Sequence, residues 1–181
     1  MPEGLEMRTQ GLVRFGAAAA LVGGVLRIAS TFVPWQAEQA WLEAFYGVID
    51  LCLLFGLLGV YLAHAERLGV AGLVTFAMAL AGLASIVGPD AQMFGVDFYR
   101  VGALVFLAGL AGLSVQMLLK RVLAPSAALW IAALVSSLVG AALQAPLAIM
   151  GAGMLLGAGY VMAGLGIHRP RLTRGEALTA A

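Results

Sequence analysis

Residues 40–63, AWLEAFYGVIDLCLLFGLLGVYLA, run for 24 positions with only Glu43 and Asp50 carrying charge. A helix rising 1.5 Å per residue crosses a hydrocarbon core of roughly 30 Å in about 20 mostly apolar residues, so this stretch is long enough to span a bilayer. It closes on a polar run, His64 to Arg67. Cutting the rest of the chain at its polar or proline-containing breaks gives five more such segments. The six expected spans are residues 11–32, 40–63, 69–88, 99–119, 126–143 and 146–167, which leaves no room for a soluble domain. The fold class read here is all-α: a polytopic membrane helical bundle forming a single domain over residues 1–181.

The composition agrees. Hydrophobic residues make up 62% of the chain and charged ones 10%, against roughly 45–50% and about 25% in soluble domains. The 24 glycines suit close helix contact in lipid. With a formal net charge of +1, nothing in the balance recruits nucleic acid. The lone Cys52 lies inside an apolar run and has no intramolecular disulfide partner. Arg8 and Arg14 ahead of the first apolar run resemble a signal peptide, but the run continues past Arg27 without a small-x-small cleavage site, so it is read as a retained span.

Charge alternates between the breaks. Arg8, Arg14, Arg67, Lys120, Arg121, Arg169, Arg171 and Arg174 fall on one side; Glu38, Asp90 and Asp97, with Arg100 as the single cation, fall on the other. The excess of Lys and Arg assigns the first side, with both termini, to the cytoplasm. Trp35, Trp41, Phe94, Phe98 and Tyr99 form the opposite interfacial belt. The bacterial cytoplasmic (inner) membrane is the expected location and the lipid bilayer the first partner.

In lipid, small residues mark helix-packing faces. Gly153 and Gly157 form a GxxxG pair, and Ser136 and Gly140 continue a small-residue stripe on the preceding span. Such stripes serve either packing within the chain or docking onto a second copy or a larger membrane complex.

Ionisable side chains within a span cost at least ~2.5–3.5 kcal/mol, so each needs a partner, a wet cavity or a function. Arg27 shares a small, polar face with Ala20, Gly23 and Thr31. Glu43 and Asp50 are seven apart on the second span, with Tyr46 and His64 near the same line. Because the first two spans are antiparallel neighbours, Arg27 is expected to pair with Glu43, with Asp50 one to two turns deeper. Arg27, Glu43, Tyr46, Asp50 and Arg100 form the candidate substrate- or ion-binding set.

Other signals favour plainer readings. His64 and His168 at span ends invite a bis-histidine haem, yet imidazole beside a helix C-terminus is also what the helix dipole favours, and no cofactor is expected. Met150 and Met154 resemble the MxxxM pair of eukaryotic-type copper transporters, but those have three spans and Met-rich termini, so no metal site is expected and packing is the better reading. No HExxH, CxxC or phosphate-loop motif occurs, no Ser or Cys has a nearby His base, and no catalytic residue is assigned. Two function classes remain: a transporter or channel-like protein for an ion, proton or small solute, and a non-catalytic accessory or scaffolding subunit whose charges form a structural ionic network.

Overall fold

The first helix, α1 (Glu3–Ser30), ends where Ser30 and Thr31 donate their hydroxyls back to the Arg27 carbonyl at 2.9 and 3.1 Å, closing its last turn. This computed structural model describes residues 3–33, 39–87, 92–93 and 96–168; Trp35, Glu38, Asp90, Phe94, Arg169, Arg171 and Arg174 lie outside them. Four further helices follow: α2 (Ala40–Ile86), α3 (Phe98–Leu119), α4 (Ala124–Ala142) and α5 (Pro146–His168). A minimal antiparallel pairing, β1 (Gln92–Met93) with β2 (Val96–Asp97), precedes α3. All five helices are long and apolar enough to cross a membrane.

The 47-residue α2 would measure about 70 Å if straight, more than twice the thickness of a hydrocarbon core. It is not straight. Gly69 has φ 63° and ψ −162°, a region open essentially to glycine alone, and it breaks the helix into two arms, residues 40–68 and 70–86. The sequence reading ended the second span at residue 63, but the polar run His64–Arg67 stays helical and only the glycine interrupts it. Tyr61 and Phe76 would lie about 22 Å apart along a straight helix. Their rings instead stack at 4.2 Å and 9°, so the arms fold back side by side.

Close backbone approach then sets the helix order. Gly16 meets Gly59, Ala20 meets Gly56 and Gly23 meets Cys52, laying α1 antiparallel along the first arm. The second arm meets α3 the same way, through Gly82 with Phe106, Ala79 with Gly109 and Thr75 with Gly112. The helix pair α4–α5 closes through Gly140 against Ile149, and Ser136 Oγ donates to the Ala148 carbonyl at 2.8 Å. Gly157 rests on Gly24 and Ile28, and Gly164 on Ala17 and Leu21, bringing α5 back onto α1. With α3 against α4, the helices form a closed cycle around one core that includes Leu57, Leu110, Leu113, Met117, Trp130 and Tyr160. The outer face is lined by exposed Leu, Val and Phe side chains such as Leu12, Phe15, Val25, Leu104 and Leu138. An apolar surface of that extent is suited to lipid.

The turn after α3 gathers the basic residues. Arg67 Nη2 donates to the Lys120 carbonyl at 2.9 Å, capping the end of α3 with a cation from the first arm. Arg121 and Leu123 adopt left-handed φ values of 53° and 44° where the chain reverses into α4.

Candidate functional site

Four helices bring polar side chains into the bundle interior. Arg27 leaves α1 three residues before its end and is half-buried, its Nε enclosed without a hydrogen-bond partner. Gly153 on α5 lies beside it: a Cβ there would be 3.0 Å from Thr31 Oγ1 and in ordinary contact, at 3.8 Å, with Arg27 Nη2. Asp50, also half-buried, comes from the first arm of α2 and interacts electrostatically with both Arg27 and Tyr160. Tyr160, from α5, is fully buried; its ring lies 5.1 Å from that of Trp130 on α4, tilted by 56°. The Tyr160 hydroxyl and Trp130 Nε1 are buried without hydrogen-bond partners, as Arg27 Nε is. Three helices thus bring donor atoms without partners, on Arg27, Trp130 and Tyr160, and a fourth brings the Asp50 carboxylate.

The other expected members lie elsewhere. Arg27 and Glu43 form no ion pair, contrary to the expectation from their depth. The inward line of the first arm is Leu42, Ile49, Leu53, Leu57 and Val60, and Glu43 stands exposed beside it in the first turn. Glu43 and Asp50 share a face, since seven residues fall only ~20° short of two full turns. What separates them is burial: Asp50 is half-buried on an arm that α1 and α5 both contact, while Glu43 lies exposed. Tyr46 donates its hydroxyl to the carbonyls of Ser30 and Val33, both at 3.3 Å, fastening α2 to the end of α1. Arg100 belongs to the start of α3: Asp97 Oδ1 accepts from the Arg100 backbone N–H at 2.9 Å, and Asp97 Oδ2 lies 3.7 Å from Arg100 Nε. This is a helix cap.

This chain has no match among known family models, curated proteins or solved structures. The site must be read from its own chemistry.

Tyr160 and Trp130 were absent from the sequence reading, though a signal existed. Membrane Trp and Tyr concentrate at the two interfaces. Tyr160 instead stands well inside a glycine-rich helix, and Trp130 lies under it. Cys52, close to Asp50 in sequence, faces Gly23 and serves the α1 contact. No group of three His, Cys, Asp or Glu side chains among the described residues is arranged to hold a metal ion. Chemically, the centre offers a carboxylate that can take up or release a proton beside a fixed countercharge, and donors that suit an acceptor-bearing solute or water.

Proposed function

We propose that this protein is a small multi-pass membrane transporter or channel-like protein, moving a proton, an ion or a small polar solute through the centre formed by Arg27, Asp50, Trp130 and Tyr160. The observation that carries this reading is three buried donor atoms without hydrogen-bond partners, on Arg27, Trp130 and Tyr160, in a bundle that also carries the half-buried Asp50 carboxylate. Lone polar groups in a bundle interior are costly and usually hold water, an ion or a ligand.

Each arm of α2 is taken as a separate crossing, for six in all, with both chain ends on the cytoplasmic side. Support comes from the fold-back at Gly69 and from the placement of Arg67 beside Lys120 and of Arg14 beside His64 and His168, which collects basic residues at one end. The accessory-subunit alternative drew on the glycine stripes. Gly140, Gly153 and Gly157 each meet a neighbour within the chain, so those stripes are already occupied.

The test is flux in proteoliposomes, read with a pH-sensitive dye and with ion- or solute-sensitive dyes, alongside folded yield in detergent. Asp50→Asn alone removes the carboxylate that offsets the half-buried Arg27 charge and should lower the folded yield. Arg27→Gln with Asp50→Asn should recover the yield yet leave flux at the level of empty vesicles. Wild-type flux in that double variant makes the pair structural, and no flux from the unaltered protein with any dye returns the chain to the accessory class.

A further inference from the structure

At the basic end of the bundle, the N-terminal part of α1, the first arm of α2 and the end of α5 line an open cavity of about 570 Å³. Its polar rim includes Gln10 and Arg14 from α1, His64 from α2 and His168 from α5; Val13 and Leu62 contribute apolar wall, and among the described residues no carboxylate lines it. Against the Val60 carbonyl, 3.1 Å away, His64 Nδ1 acts as donor, which fixes the ring's orientation and turns Nε2 the other way. Arg67 and Lys120, joined by a hydrogen bond, place further positive charge at the same end.

We infer that this cavity is a binding site for the phosphate headgroup of an anionic phospholipid. A rim of the Arg14 guanidinium flanked by imidazole and amide donors fits a phosphodiester, and basic pockets between membrane helices are a recurring way of holding acidic headgroups. The apolar wall decides between a lipid and free phosphate. Val13 and Leu62 sit beside the rim, where a lipid's glycerol and first methylenes would follow its headgroup, whereas inorganic phosphate has nothing to place against them. The site requires only that the helices lie in a bilayer and is independent of transport at Asp50.

The full-length protein in detergent micelles is titrated with phosphatidylglycerol, phosphatidylcholine and inorganic phosphate, with bound lipid counted by native mass spectrometry and thermal stability followed in parallel. Phosphatidylglycerol should be retained and phosphatidylcholine not. Arg14→Gln should weaken retention about fivefold, the effect of one surface cation on acidic lipid, and Arg14→Gln with His168→Gln further still. Lys120→Gln removes the same charge from the same end outside the cavity and should leave retention unchanged. Equal losses from Arg14→Gln and Lys120→Gln, or equal retention of the two lipids, overturn the site. Stabilisation by inorganic phosphate alone, abolished by Arg14→Gln, overturns the lipid and leaves a phosphate site.

Discussion

The contact between Gly16 and Gly59 allows a quantitative test of how α1 and α2 are held together. A Cβ on Gly16 would lie 2.5 Å from Gly59 Cα and 2.9 Å from the Phe55 carbonyl oxygen, and one on Gly59 would lie 2.6 Å from Gly16 Cα. Carbon atoms in ordinary contact sit about 3.5–4.0 Å apart, so either alanine must push the helices apart by roughly 1 Å. The obstructing atoms are backbone, and no rotamer change can absorb the shift. Overpacking of this kind costs about 1–3 kcal/mol, and the upper end applies because Ala20–Gly56 and Gly23–Cys52 loosen together with it. Replacing a helical glycine returns roughly 0.5–1 kcal/mol, leaving a net loss of about 2 kcal/mol for each single variant. Once the helices have parted for one methyl, the second enters at little extra cost, so Gly16→Ala with Gly59→Ala should fall short of additivity by about 1–2 kcal/mol. Gly11→Ala and Gly47→Ala, where a Cβ meets nothing within 4 Å, are the matched controls and should be neutral or mildly stabilising. Reversible unfolding in bicelles by added dodecyl sulfate, followed by circular dichroism, measures all five variants. Losses at Gly16 and Gly59 no larger than at the controls, or an additive double variant, would refute the close approach of these helices.

Two further substitutions probe single features. Gly69→Ala should cost about 1–3 kcal/mol through its backbone conformation alone. As a Cβ at Gly69 meets nothing within 4 Å, Gly69→Leu should cost no more than Gly69→Ala; a much larger loss for leucine in the same unfolding assay would mean the turn is crowded rather than strained. Tyr160→Phe removes a buried hydroxyl without a partner, so stability should hold or rise by up to about 1 kcal/mol while flux is lost. A fall of more than about 1 kcal/mol would place that hydroxyl in a structural hydrogen bond.

The helical, membrane-compatible class was legible because it rests on run length. Residues 40–63 and 146–167 are too long and too apolar for anything else, and no tertiary knowledge is needed to see it. The turn between the arms of α2 was harder. A polar run such as His64–Arg67 looks like a break, yet its residues are good helix formers at a membrane surface, and the chain turns only where Gly69 supplies a positive φ. The candidate site was legible still less. Periodicity gives the direction of Arg27, Glu43 and Asp50 around their own helix axes, but not which helix covers that direction or at what depth. Part of the packing on that arm comes from α5, which begins 96 residues along the chain from Asp50, and the order of helices around the bundle is not encoded in any one segment's pattern. Tyr160 and Trp130 were passed over because an apolar ring inside a span reads as packing until its polar atom is found without a partner.

Packing and polarity meet in α5. Gly153, Gly157 and Gly164 turn one side of this helix to α1, while Gly159 and Gly166 turn another to Trp130 and Leu123 on the α4 side. A Cβ at Gly159 would collide with the indole of Trp130, and one at Gly153 would crowd Thr31 Oγ1 beside the Arg27 guanidinium. The glycines thus seat α5 as a wedge between α1 and α4, and Tyr160, next to Gly159, is buried there beside Trp130. It follows that enlarging a glycine of α5 perturbs helix spacing and the polar centre together, and a loss of function there says nothing about chemistry. The Tyr160 hydroxyl can be removed without changing a packing contact of the ring, so it is the atom at which a working centre and a merely structural one give opposite results.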